Sequence, residues 1–158
     1  MKPFNRLVMV GLGILTSQLV LADTRPLNVS LVVEVSSDAT HLSASVTNNE
    51  PTTIEIYCSD LPWNNFYSMA LVAVALNVTK SVIASVSIID DPGPATMLLR
   101  PGESVSGTID VRGRWPTLHT QLEKSDVVLF WSYQLTTVNG RSSKRFSGSS
   151  LISRLRSK

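Results

Sequence analysis

The chain has 158 residues, 43% of them hydrophobic and 16% charged, with 14 basic side chains, 12 acidic ones and one cysteine. That length supports one domain burying roughly two thirds of its unfolded surface. The near-balanced charge excludes a general nucleic-acid binder, which needs a basic face, and a lone cysteine excludes an intramolecular disulfide.

Lys2 and Arg6 precede an apolar stretch from Leu7 to Leu21, which ends in Val20-Leu21-Ala22 before Asp23. This pattern reads as a secretory signal peptide over residues 1–22 with cleavage following Ala22. An uncleaved anchor is the alternative, but Gly11, Gly13, Ser17 and Gln18 interrupt a stretch already short for a span. With Lys2 and Arg6 removed, 12 basic residues face 12 acidic ones. A soluble product of residues 23–158, periplasmic or secreted, is expected as a single domain with a basic tail from about residue 153.

Leu27, Val29, Leu31, Val33 and Val35 alternate with polar residues, Val32 excepted, as in a half-buried first strand. After a turn at 36–40, Leu42, Ala44 and Val46 repeat the pattern, and Asn48-Asn49-Glu50-Pro51 closes it. Ile54 and Ile56 mark a third strand. Ser59-Asp60-Leu61-Pro62-Trp63-Asn64-Asn65 then forms a turn-rich loop whose Leu61 and Trp63 are expected to cover one end of the core. Residues 66–77 fit a strand by Met69, Leu71, Ala73 and Ala75, or a helix by Met69, Val72, Ala73 and Leu76; the neighbouring strands favour strand.

From Lys80 to Ile89 another strand is expected, with Val82, Ala84, Val86 and Ile88 on one side, ended by Asp90-Asp91-Pro92-Gly93-Pro94. Arg100-Pro101-Gly102-Glu103 places Pro and Gly where a type II turn wants them. Val105, Gly107, Ile109 and Val111 alternate behind it. A longer connection over 112–125 holds Trp115-Pro116 and a helical turn near Thr117–Glu123.

Residues 126–137 form the most β-prone run in the chain. Val127, Leu129, Trp131, Tyr133 and Leu135 share one face, and Val128 with Phe130 make the start of the other face apolar. A mid-sheet strand buried on both sides at its start is expected. Asn139-Gly140 signals a hairpin, with 146–152 returning antiparallel. Seven to eight such strands predict an all-β, immunoglobulin-like antiparallel β-sandwich.

The run Val46-Thr47-Asn48-Asn49 followed by Ile54-Glu55-Ile56, together with Leu99-Arg100-Pro101-Gly102-Glu103-Ser104, resembles small bacterial immunoglobulin-like domains. It is similar to the β-sandwich ahead of the catalytic domain in deuterolysin-type secreted metalloproteases, and more distantly to proteinase inhibitors of the BsuPI kind. The resemblance spans about residues 27–152 and implies a non-catalytic role. No His-Glu-x-x-His motif occurs, so no functional residue carries across.

Chemistry-bearing signals are sparse. His41 and His119 read as polar surface residues rather than a metal pair. Asp90-Asp91 reads as turn chemistry rather than a Ca²⁺ site. In Gly102-Glu103-Ser104-Val105-Ser106-Gly107 the spacing of a nucleophile elbow fails. Cys58 reads as a buried small hydrophobe, with a thiol pairing between chains or a nucleophile as alternatives.

Neither a catalytic residue, a metal nor a cofactor is implied. Two features suit binding. Leu61, Trp63, Phe66 and Tyr67 place apolar and aromatic groups in and beside a loop, although core capping is the reading that the loop favours. The tail from Arg141 onward, with Lys144, Arg145, Arg154, Arg156 and Lys158 and no acid, could touch anionic lipid peripherally or an acidic partner, its alternative being a solvated terminus. The expected function is binding of another exported protein, with inhibition or assistance of a protease as its sharpest form. The alternative is an envelope-associated structural protein using the basic tail.

Overall fold

The computed structural model describes residues 25–36, 40–88 and 93–155. The expected leader, the acids Asp90 and Asp91, and Arg156 lie outside the described residues.

The described residues form eight strands and two short α-helices: β1 (Val29–Val35), β2 (His41–Asn48), β3 (Ile54–Tyr57), β4 (Met69–Ala75), β5 (Thr96–Leu99), β6 (Ser104–Asp110), α1 (Val111–Arg114), α2 (Leu118–Leu122), β7 (Val127–Tyr133) and β8 (Phe146–Ile152). The strands form an antiparallel β-sandwich. One sheet has the order β1-β2-β6, a second β4-β7-β8, and β3 pairs with β5. Beyond Tyr133 the chain of β7 continues toward β3, where Thr137 bridges Ile56 and Val138 N–H donates to Glu55 O at 2.9 Å. The same stretch of chain therefore joins the second sheet to the β3–β5 pair.

Period-two alternation explains the core. Leu42, Ala44 and Val46 of β2, Met69, Leu71, Ala73 and Ala75 of β4, and Val127, Leu129 and Tyr133 of β7 all turn inward and are buried. Residues 69–75 are thus strand, as their neighbours suggested. Trp115 and Leu118, in the helical connection, complete the interior. On the outer face of the first sheet, Thr47 and Ser104 hydroxyls meet at 2.7 Å and Ser106 donates to Ser45 at 3.0 Å. These serines belong to a cross-strand hydroxyl ladder.

The turns follow their sequence signals. Glu103 N–H donates to Arg100 O at 3.0 Å, and Gly102 takes φ +73°, as the third position of a type II turn requires. The Asn139-Gly140 hairpin forms, with Gly140 at φ +84° and Thr137 N–H donating to Arg141 O at 2.9 Å.

Two expectations are corrected. Residues 80–88 are not a strand. Only Ser81 to Ile83 run along β4, with Ile83 N–H donating to Ala73 O at 2.8 Å, and the inward residue is Ile83 while Val82 is exposed. β7 is buried on one face only: Phe130 is 48% exposed and Val128 half-buried, because no layer covers the outer side of the second sheet among the described residues.

Candidate functional site

The loop between β3 and β4 is set by its own polar groups. A 3-10 turn at Cys58–Asp60 starts it, and Asn64 Nδ2 donates to Cys58 O at 3.0 Å. Asn65 Oδ1 accepts from Tyr67 N–H at 2.9 Å, an Asx turn that reverses the chain toward β4. Tyr133 OH donates to Asp60 O at 2.9 Å, pinning the turn onto the core. Burial, and then the charge of Asp60, push the Tyr133 phenol above its ordinary range, so it stays a donor.

Leu61, named both as a core cap and as a binding candidate, is 3% exposed and packs in the core. Trp63 and Phe66 are half-buried and Tyr67 is exposed. The Trp63 indole lies flat on β6 at Gly107, where an added Cβ would come within 2.3 Å of the ring. Phe66 and Tyr67 meet edge to face at 5.1 Å, and Tyr67 OH donates to Ile88 O at 2.7 Å.

Opposite this loop stands α1, which starts where Asp110 Oδ1 accepts from Gly113 N–H at 2.9 Å. The helix places Arg114 inside the protein, only 8% exposed. Its guanidinium carbon sits 3.9 Å from the centre of the Phe66 ring and 5.7 Å from that of Trp115. Arg114 O accepts from Val86 N–H at 3.0 Å, which brings residues 86–88 across the helix. Between loop and helix lies a pocket of about 410 Å³, walled by Trp63, Phe66, Val86 and Ile88, with Arg114 and Asp110 contributing charge.

Arg114 is the decisive residue. Its Nε is buried without a hydrogen-bond partner, and among the described residues its side chain makes no ion pair. Burial lowers its pKa from the ordinary guanidinium value, an effect that Tyr67 opposes, and the group stays cationic. Desolvating an ion costs several kcal/mol, whereas a desolvated cation–π contact returns about 2 kcal/mol. The aromatic stack offsets part of that penalty, and the two terminal nitrogens, unlike Nε, are not sealed from the solvent.

No protein-family model matches the chain, and no curated protein matches it. Among solved structures it is similar to the ApaA protein from Bordetella pertussis, at 13% identity and a TM-score of 0.42, over 85% of this chain and 99% of that one. A likeness at that level carries no functional reading.

The sequence-expected residues divide accordingly. Trp63 and Phe66 line the pocket, and Tyr67 supports Phe66 from outside. Arg154 follows β8 with an exposed side chain, its N–H donating to Asp126 Oδ1 at 2.6 Å, and it does not line this pocket. Arg141, expected to begin a basic tail, is held by Glu50 and by Arg25 O at 3.1 Å. Its charge is therefore committed inside the fold. Cys58 is half-buried rather than buried. His119 faces Glu123 at 3.6 Å and His41 bonds Thr40 Oγ1 at 2.6 Å; no cluster of three metal-ligating residues occurs among the described residues.

Sequence reasoning missed Arg114 altogether. In Arg112-Gly113-Arg114 both cations look solvent-facing, and the only local signal was the adjoining Trp115-Pro116, which anchors the segment inward. A second missed feature is an apolar row on the outer face of the second sheet. Val82, Val74, Val128 and Leu151 are successive cross-strand partners, beside the Val72–Phe130 pair.

Proposed function

We propose that the chain is a non-catalytic exported module with an immunoglobulin-like sandwich that binds another exported protein at the pocket between Trp63, Phe66 and Arg114. The carrying observation is Arg114, a buried guanidinium that stands without an anionic partner among the described residues in a pocket with aromatic walls. Such groups make binding hot spots, since arginine and aromatic residues in a desolvated pocket supply large binding energies. Inhibition of an exported protease, or assistance to one, is the sharpest form of this reading and draws on the resemblance to deuterolysin-associated and BsuPI-type domains. The alternative, an envelope-associated protein using the basic tail from about residue 153, keeps an exposed Arg154, while Arg141, held by Glu50, belongs to the folded hairpin instead.

Affinity capture from envelope and culture-fluid extracts, run in parallel with wild type, Arg114→Gln and Trp63→Ala, tests the proposal. One exported protein bound by wild type in near-stoichiometric amount, and lost in both variants at unchanged fold, is the expected result. Equal retention by all three, or hydrolytic activity of the purified chain abolished by a single substitution, would overturn it.

A further inference from the structure

We infer that the Arg114 pocket receives the free carboxyl terminus of a peptide whose last residue is apolar. This deepens the binding-module reading and rests on it.

The charge of the ligand follows from the charges of the site. One buried guanidinium offers a planar fork that fits a carboxylate through paired N–H donors. A dianion such as a phosphate monoester would bring two charges against that single cation. It would also meet Asp110, the acid lining the pocket, whose Oδ1 is engaged by Gly113 N–H. A monoanion suits this balance better.

The remaining walls define the body attached to the carboxylate. Trp63, Phe66, Val86 and Ile88 are apolar, and about 410 Å³ accommodates one large side chain with its backbone. Asn65, whose Oδ1 is occupied by Tyr67 N–H, keeps its Nδ2 as a donor for a peptide carbonyl. An apolar side chain, a terminal carboxylate and an adjoining peptide group thus each meet a matching surface. Capture of chain ends by fixed donors is an established way for proteins to read peptides.

The test uses the purified protein and three probes: acetyl-leucyl-phenylalanine, the same dipeptide as its carboxamide, and 3-phenylpropionate. Calorimetric titration is paired with the amide NMR signals of Gly113, Asn65 and Thr108. The free acid is expected to bind saturably and at least tenfold more tightly than the carboxamide, shifting those three signals. Arg114→Gln should abolish the difference between acid and amide, and Arg114→Lys should restore part of it.

Comparison of acid with amide on the wild-type protein needs no variant to fold. Equal binding of the two would overturn the carboxylate inference and leave the binding-module reading standing. Binding of 3-phenylpropionate with neither peptide would overturn both, making the pocket a site for a free small acid. Binding of none of the three would overturn the inference, with the fate of the broader reading decided by the capture experiment.

Discussion

Glu50 and Arg141, 91 residues apart, form an ion pair that fastens the turn after β2 to the hairpin after β7. Glu50 Oε1 also accepts from Asn28 N–H at 2.7 Å, and Arg141 Nε donates to Arg25 O at 3.1 Å, so three separate segments meet at one carboxylate and one guanidinium. The side chains are 9% and 20% exposed, respectively. Removing one partner leaves the other charge poorly solvated. Glu50→Gln is expected to cost about 3 kcal/mol in urea denaturation, and Glu50→Gln with Arg141→Met less than the sum of the two single changes.

Asn48 is a fully buried amide whose hydrogen bonds stay within the protein. Nδ2 donates to Thr52 O at 3.0 Å and Leu99 O at 2.9 Å, while Oδ1 accepts from Glu50 N–H at 2.9 Å. No aliphatic residue can replace it without stranding those groups. Asn48→Leu should lower stability by roughly 3 kcal/mol, measured by chemical denaturation.

Gly107 allows Trp63 to lie on β6. A Cβ there would approach the indole within 2.3 Å, far inside contact distance. Gly107→Ala is expected to lift Trp63 from the sheet, red-shift its emission and cost about 1–3 kcal/mol. It should also weaken any ligand of the pocket, since Trp63 forms one wall.

Asp60 is a pH-dependent liability. Burial raises its carboxyl pKa above the usual 3.8. Between that value and the raised one, the folded chain holds a proton that the unfolded chain releases, so stability falls as pH rises through this window. At neutral pH the ionised carboxylate therefore detracts from stability. Asp60→Asn is expected to raise Tm near neutrality, with the gain disappearing below pH 3.8. An unchanged Tm difference across that range would contradict the account.

The apolar row on the second sheet makes a contrasting case. Phe130 and Leu151 are 48% and 61% exposed, so Phe130→Thr and Leu151→Thr should each change stability by less than about 1 kcal/mol. Both should reduce binding of a hydrophobic dye to the native protein.

Strands and turns were readable because each follows from local rules. Alternation put Leu42, Ala44 and Val46 inward, and Pro101-Gly102 and Asn139-Gly140 fixed their reversals. Alternation misled at 80–88, since a period-two pattern marks a strand face only where a ladder partner exists. After Ile83 the chain leaves β4 and crosses to Arg114, and there Val86 and Ile88 become pocket walls. The site was half legible. Trp63 and Phe66 stood out as aromatics in a loop, but the burial of Arg114 depends on the packing of α1 against Phe66, which no short window of sequence around Arg114 contains.

The path of β7 bears on how the molecule can come apart. A single run of chain is the middle of the β4-β7-β8 sheet and, a few residues later, a flank of β3. A tug on either is passed along the covalent backbone to the other, so the β4-β7-β8 sheet and the β3–β5 pair have no seam between them along which to peel. Amides of β3 and β8, though in different sheets, should then exchange with solvent at one shared opening free energy rather than as independent subunits of structure.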